Sequence, residues 1–247
     1  TRQGIKQIVA WRRADVSLRY LKKLPRFATP AGRIHAVIGA DADTGRLTVG
    51  KPPLQQIPRD KRKDRYKLRK GFVARPGKVL SVVDASQLEM RILGHLLIKL
   101  FKDDTLARDV MAKDCHSANA LRVFGPLRPW LAGVKPEELK EHPDPLVRQA
   151  REDIKAVAYG MNYGKGDLGI GYALLDDRGN PIGERAGHQV REAYLDLYPG
   201  LRWYMDWVRE FVVAEGGMMS LLGRWRELPG ARGQRWEVDA AVRAALN

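Results

Sequence analysis

Arg151, Lys155, Tyr159 and Tyr163 follow one another at intervals of four residues. An α-helix turns once in 3.6 residues, so this spacing sets two cations and two aromatic rings along one face. The surrounding stretch, about Val147 to Asn162, reads as one long helix. Its placement constrains the fold, because a charged and aromatic face has to look onto something other than a core. About seventy residues earlier stands Val82-Val83-Asp84-Ala85-Ser86-Gln87-Leu88-Glu89. There a short β-branched run, Val79 to Asp84, predicts a buried strand ending in a carboxylate.

The rest of the chain alternates helical stretches with Pro- and Gly-rich punctuation. Residues 3–22 read as a helix rich in Arg and Lys, and 24–58 as a loop-rich stretch. Gln87 to Ile98 has helical spacing, with Leu88, Ile92 and Leu96 on one face. Asp114 to Phe124 is a helix, followed by a linker broken by Pro126, Pro129, Pro136, Pro143 and Pro145. Asp176 to Pro181 signals a turn, His188 to Leu197 is helical, and Pro199 sits in the first turn of another helix. Leu201, Tyr204, Met205, Val208, Phe211 and Val212 give that last helix an apolar stripe, which is core. Met219 to Leu228 reads as a strand or hairpin arm.

Lys and Arg number 44 against 29 Asp and Glu, a net charge of +15, so a polyanion is the natural partner. From Arg59 to Lys70 eight basic residues face two acidic ones, a run that suits phosphate contact or a solvated loop. No apolar run is long enough to span a bilayer, and no membrane partner is expected. The single cysteine, Cys115, cannot form an internal disulfide, which fits a reducing compartment and a cytoplasmic protein. Its expected role is that of a small core side chain. Thr1 in place of Met, and Asn247 directly after the helical run Trp236 to Leu246, read as cuts through a larger architecture.

Chemistry enters through the carboxylate and the stripe. Phosphoryl transfer from a triphosphate asks a protein mainly for positioning and charge neutralisation. Asp84, at the end of a buried strand, would be costly unless a cation such as Mg²⁺ compensated it, or unless it capped the helix behind it. Arg151 and Lys155 array donors for phosphates along a rigid element, and Tyr159 and Tyr163 offer faces on which a base or sugar can stack. Gly160 and Gly164 permit close approach of a template base to the helix end. The competing reading is an amphipathic helix with a solvated basic edge. His116 has no second histidine at ligand spacing and is a poor metal site by itself. Arg224 and Arg226, alternating around Trp225, suit either a nucleic-acid backbone or solvent.

Taken in order, these segments resemble the family A DNA polymerases. Thr44-Gly45-Arg46-Leu47 and Leu54-Gln55-Gln56-Ile57-Pro58 are similar to that family's T-G-R-L and L-Q-N-I-P segments. Asp84 to Arg91 resembles its motif A, D-Y-S-Q-I-E-L-R. Asp114-Cys115-His116-Ser117 resembles its D-x-H-S helix start. Arg151 to Gly164 fits its motif B, R-x₃-K-x₃-F/Y-G-x₂-Y-G, without a gap, and Tyr198-Pro199-Gly200 and Leu222-Gly223-Arg224 echo it further. The resemblance implies an α/β (α+β) right-hand fragment, with an antiparallel palm sheet and helical fingers. Its expected parts are a thumb-remnant helix at 1–26, palm with motif A at 27–99, fingers with motif B at 100–215, and a return towards the palm at 216–247.

The same resemblance implies template-directed DNA synthesis, with primer-template DNA and a deoxynucleoside triphosphate (dNTP) as partners. Asp84 would hold two Mg²⁺ ions, helped by the carbonyl of Ala85. Glu89 would crowd the sugar 2′ position and hydrogen-bond Tyr163. His116, Arg151 and Lys155 would bind the triphosphate, with Lys155 serving the departing pyrophosphate. Tyr159 would stack near the sugar and, as tyrosine, tolerate dideoxynucleotides; Tyr163 would occupy the templating-base position in the open state. Arg46 and Gln55 would contact the primer terminus, Arg91, Gly164, Arg224 and Arg226 the DNA more generally, and the 59–70 run the duplex phosphates.

Ala85 and Gln56 depart from the family's Tyr and Asn, and Pro126 to Leu146 is longer than its usual connection. The family's Q-G-T-A-A-D and H-D-E motifs, the latter bearing the second catalytic carboxylate, are absent from these residues. The expected partner is therefore a second polypeptide carrying them, as in a split polymerase, unless this is one piece of a longer chain, and the isolated chain is expected to be inactive. The alternative is a non-catalytic DNA- or nucleotide-binding protein that keeps the fold. A relation to single-subunit RNA polymerases is disfavoured by Glu89 in its Ser-Gln-Leu-Glu context.

Overall fold

The computed structural model describes residues 2–58, 67–112 and 114–246, except the side chains of residues 2, 3, 5, 6 and 13. Most of the basic run from Arg59 to Lys70 therefore lies outside the described residues. The chain forms two compact units, Thr1–Asp84 and Ala85–Asn247.

The first unit opens on α1 (Arg2–Lys23), whose side chains Ile8, Val9, Trp11, Leu18 and Leu21 are exposed. A hairpin follows, β1 (Val37–Gly39) antiparallel to β2 (Thr48–Gly50), with Ile38 opposite Val49. Among the described residues of this unit only Ser17, Pro52, Ile57 and Leu68 are buried.

The strand expected at Val79 to Asp84 is not formed. The segment has no regular secondary structure, and Val82 and Val83 are 92% and 95% exposed. Strand propensity measures fit to a pleated, half-buried surface, and no described strand lies beside this run to provide one. Asp84 is accordingly exposed rather than buried.

The second unit is helical. It runs through α2 (Leu88–Phe101), α3 (Thr105–Met111), α4 (Cys115–Phe124), α5 (Pro145–Asn162), α6 (Asp167–Ala173), α7 (Gly183–Leu197) and α8 (Pro199–Glu215). A hairpin of β3 (Gly217–Met219) and β4 (Trp225–Glu227) and the helix α9 (Arg235–Ala245) complete it. The architecture is thus mixed α and β with small antiparallel sheets, as the resemblance implied.

Helix ends follow their sequence. Asp144 caps α5 by accepting from the Leu146 amide at 2.8 Å, with Pro145 at the first position. Gln234 and Glu237 form a reciprocal capping box on α9. Helix α2 has no side-chain cap; it starts from Gln87 in the left-handed region, φ 53°.

Helix α2 buries Met90, Leu93, Gly94 and Leu97, while Leu88 and Ile92 are exposed. The face expected at Leu88, Ile92 and Leu96 is displaced because the helix carries apolar residues on both sides, so spacing alone admits two answers. The main core joins Leu93, Leu97, Phe124, Ile154, Met161, Tyr194 and Leu201 from α2, α4, α5, α7 and α8. A smaller cluster, Val208, Val212, Leu228, Ala231, Ala241 and Val242, seats α9 and the hairpin on α8. Helices α6 and α7 approach most closely at Gly171 and Gly187, where a Cβ would stand 2.2 Å from the opposing carbonyl oxygens.

The long connection from Pro126 to Leu146 is folded onto this core. Leu131 and Leu139 are buried, and Arg128 reaches Asp153 of α5 at 2.7 Å, with both side chains over 90% buried. The guanidinium also lies 4.1 Å from the centroid of Phe124.

Candidate functional site

Asp114 organises one side of the site. As cap of α4 it accepts from the Ser117 amide at 3.2 Å and the Ser117 hydroxyl at 2.9 Å. Arg151 of α5 forks onto the same carboxylate, Nε to Oδ2 at 3.1 Å and Nη2 to Oδ1 at 3.2 Å. A bidentate guanidinium fixes both distance and direction, so the start of α4, with His116, is held against the stripe on α5. Burial pushes the Asp114 carboxyl up, but the bonds from Arg151 and Ser117 outweigh it and hold the group below its usual value.

His116 is buried beside these cations. Burial, then the charges of Lys155 and Arg151, lower its imidazole from the ordinary 6.5, so it stands neutral at pH 7. Lys155 donates to Glu152 Oε1 at 2.7 Å, and Arg151 Nη1 lies 3.5 Å from the same oxygen. The bond from Lys155 is the main reason the Glu152 carboxyl is lowered. Both stripe cations thus have a carboxylate beside them. Spacing had not marked Glu152, although it stands three residues before Lys155 at helical pairing distance.

The other side of the site joins α5 to the start of α2. Tyr163, which closes α5, donates its hydroxyl to Glu89 Oε2 at 2.6 Å, and Asn162 Nδ2 lies 2.9 Å from Met90 Sδ. The two sequence segments, seventy-four residues apart, are therefore tied side chain to side chain. Tyr159 is part-exposed on the same face, and Gly164 supplies a left-handed turn, φ 69°. A Cβ at Gly164 would meet Leu246 Cδ1 at 2.9 Å and Arg243 Cγ at 3.1 Å of α9 and the residue after it. That glycine accordingly permits close approach, and within the described fold it is α9 that approaches.

Residues 1–247 match the description "DNA polymerase family A" from end to end. The chain belongs to DNA polymerase family A. It is 30% identical to "DNA polymerase I" of Streptococcus pneumoniae, over 98% of this chain and 25% of that protein. It is 33% identical to "DNA polymerase I, thermostable" of Thermus thermophilus, over 92% of this chain and 25% of that protein. The chain thus spans about a quarter of the length of these relatives. Among solved structures it is similar to the "POL domain of Pol1 from M. smegmatis complex with DNA primer-template and dNTP". That likeness has a TM-score of 0.78 at 30% identity, over 98% of this chain and 39% of the other.

Asp84 closes the first unit and Ala85 opens the second, both exposed. In the first unit Gln55 donates to the Leu47 carbonyl at 3.3 Å, and Arg46 is exposed one residue before it. Arg91 is exposed on α2 and binds the Ser86 carbonyl through Nε at 2.9 Å. Arg226 donates to the Ala244 carbonyl at 2.8 Å and so closes the end of α9, whereas Arg224 is exposed just before β4. The two arginines that flank Trp225 therefore differ in surroundings, which their alternation in sequence did not reveal. Cys115 is buried with its thiol pushed up, first by burial and then by Asp114, the surroundings of a small core side chain.

Proposed function

We propose that this family A segment binds the incoming deoxynucleotide and the primer-template in template-directed DNA synthesis. The observation that carries the reading is the 2.6 Å bond from Tyr163 to Glu89. It sets a carboxylate beside the ring that ends the cationic stripe, where a sugar would lie if its triphosphate engaged Arg151, Lys155 and His116. A carboxylate there repels or crowds a 2′-hydroxyl, and a protein that merely held DNA would have no use for it. Tyr159 stacks near the sugar, and Lys155 neutralises or protonates the departing pyrophosphate. Arg46, Gln55, Arg91, Gly164, Arg224 and Arg226 are assigned to primer and template. No described helix is long and apolar enough to cross a membrane.

Asp84, a hard carboxylate ligand, suits Mg²⁺, with the Ala85 carbonyl as a further oxygen. Among the described residues no group of three or more acid, His or Cys side chains could hold a metal ion. On this reading the second carboxylate is that of the family's H-D-E motif, supplied by a second polypeptide or by a longer chain of which these residues are one piece. When bound, such ions would neutralise the charge that develops on the transferring phosphoryl group.

The test is primer extension by this segment combined with a polypeptide bearing the Q-G-T-A-A-D and H-D-E sequences. Extension that depends on Mg²⁺ is expected. Asp84→Ala should abolish it with DNA affinity nearly unchanged, and Glu89→Ala should admit ribonucleotides. Failure of every such combination to extend a primer, or unchanged sugar selectivity in Glu89→Ala, overturns the reading.

A further inference from the structure

We infer that Lys165 is a phosphate anchor for the template strand, a role that none of the sequence motifs gives it. The inference rests on the reading of the α5 face as the nucleotide wall. Along that face the chemistry is ordered. Arg151 and Lys155 suit a triphosphate, and Tyr159 and Tyr163 suit the sugar and base. A helix rises about 1.5 Å per residue, so these groups span roughly 18 Å. A nucleotide laid out in that order has its pairing partner beyond Tyr163, over the turn at residues 164–166.

Lys165 occupies that turn and is held there from two sides. The left-handed Gly164 folds the chain back, and the Lys165 amide closes the turn on the Gly160 carbonyl at 2.8 Å. The alkyl stem lies across two glycines. A Cβ on Gly160 would stand 3.1 Å from Lys165 Cδ and 3.2 Å from Cε, and one on Gly169 would stand 2.8 Å from Cγ. Neither position could carry a side chain without displacing the lysine. The stem thus packs against backbone over the turn, which lowers the ordering needed on binding.

The charge, by contrast, is unspent. Arg151 and Lys155 each touch a carboxylate. Among the described residues the Lys165 ammonium has no hydrogen bond or ion pair. Asp167, two residues on, is engaged by His188 Nδ1 at 2.9 Å, with Arg191 Nε at 3.7 Å. A positioned ammonium with no partner among the described residues, next to the ring where a base would stack, fits a phosphodiester. A purely structural use also exists: a cation near the end of α5 complements its dipole. That use affects stability and is indifferent to DNA.

The experiment measures binding of the 247-residue chain to two probes, a blunt duplex and the same duplex with a 5′ single-stranded template overhang, over a salt series. Lys165→Met keeps the stem on its glycines and removes the charge; Lys165→Arg restores charge. Lys165→Met should weaken overhang binding about three- to tenfold and flatten its salt slope by about one. It should leave the blunt duplex and Mg²⁺-dNTP binding unchanged, and Lys165→Arg should recover the loss. Weakened dNTP binding with unchanged overhang binding would mean that the phosphate belongs to the nucleotide, and overturns the proposal. So does a lowered melting temperature with both affinities intact. If the unsubstituted chain binds neither probe, the polymerase reading itself fails, and this proposal with it.

Discussion

The two units distribute charge and burial in opposite ways. Residues 1–84 hold twenty-one Lys and Arg against six Asp and Glu, so they carry the whole net charge of +15. Residues 85–247 hold twenty-three of each and are neutral. Burial runs the other way: Ser17, Pro52, Ile57 and Leu68 are all that the described part of the first unit buries, whereas the second has a core drawn from seven helices. A chain segment with high charge and little core is suited to a polyanion's long-range field. A neutral segment with a packed core can hold side chains to fixed distances, as a site for one nucleotide requires. On the function proposed above, attraction and precision are carried by different residues.

The sharpest test of this division is in the second unit, at Arg128 and Asp153. Removing one member of a buried ion pair leaves a charge without compensation, at a cost of about 3–5 kcal/mol. Arg128→Met should therefore destabilise the second unit by about that amount, read by chemical denaturation. Arg128→Met with Asp153→Leu should recover most of it. If the single change costs under about 1 kcal/mol, as surface pairs do, precision in this unit does not depend on its polar interior.

Charge removal gives the next largest effect. Lys22, Lys23, Arg26 and Arg33 are exposed in the first unit, and Lys99, Lys102, Arg178 and Arg185 in the second. Replacing the first four by Gln should lower affinity for duplex DNA about a hundredfold and flatten the salt dependence by roughly 3–4 in slope. The same change at the second four should cost less than about threefold. Equal losses would show that net charge, not its location, drives association.

The contrast also explains what could be read from sequence. The α5 stripe, the helix start at Asp114, the Pro199 helix start and the hairpin arm within Met219 to Leu228 are local, set by spacing, capping chemistry and turn residues. They stand where expected. Val79 to Asp84 has the composition of a strand, but a strand exists only beside a partner, and composition says nothing about that. Helix α2 has two apolar sides, so its buried one is decided by what packs against it. Glu152 and Lys165 escaped notice for another reason: what matters is which charges are already paired, and pairing follows from rotamers and from one left-handed glycine. The Arg128–Asp153 pair spans twenty-five residues and a loop, beyond any local rule.

Within the neutral unit, Glu152 sets how available its cations are. Glu152→Gln keeps the size of the side chain but removes the carboxylate from Lys155 and Arg151. Triphosphate affinity, measured by titration calorimetry with Mg²⁺-dNTP, should rise about two- to fivefold, the scale of an exposed ion pair. A fall instead would mean that Glu152 orients Lys155 rather than competes for it.

The smallest expected effect is a pH dependence at His116, where the sign distinguishes packing from phosphate contact. Burial, with Lys155 and Arg151 nearby, lowers the folded-state value below 6.5. As pH falls through 6.5 the unfolded chain takes up a proton that the folded one resists, so stability declines with acidification until the lower folded value is passed. His116→Gln should flatten that decline; the contribution of Asp114, also lowered, is lost only at pH near and below 3.8. A bound triphosphate has the opposite action, since an anion beside the imidazole favours its charged form. Binding of dNTP should then take up a proton and tighten from about pH 8 to pH 6, with the uptake read from calorimetry in buffers of different ionisation enthalpy. Binding without proton uptake would leave His116 as a packed core residue, and the triphosphate would rest on Arg151 and Lys155 alone.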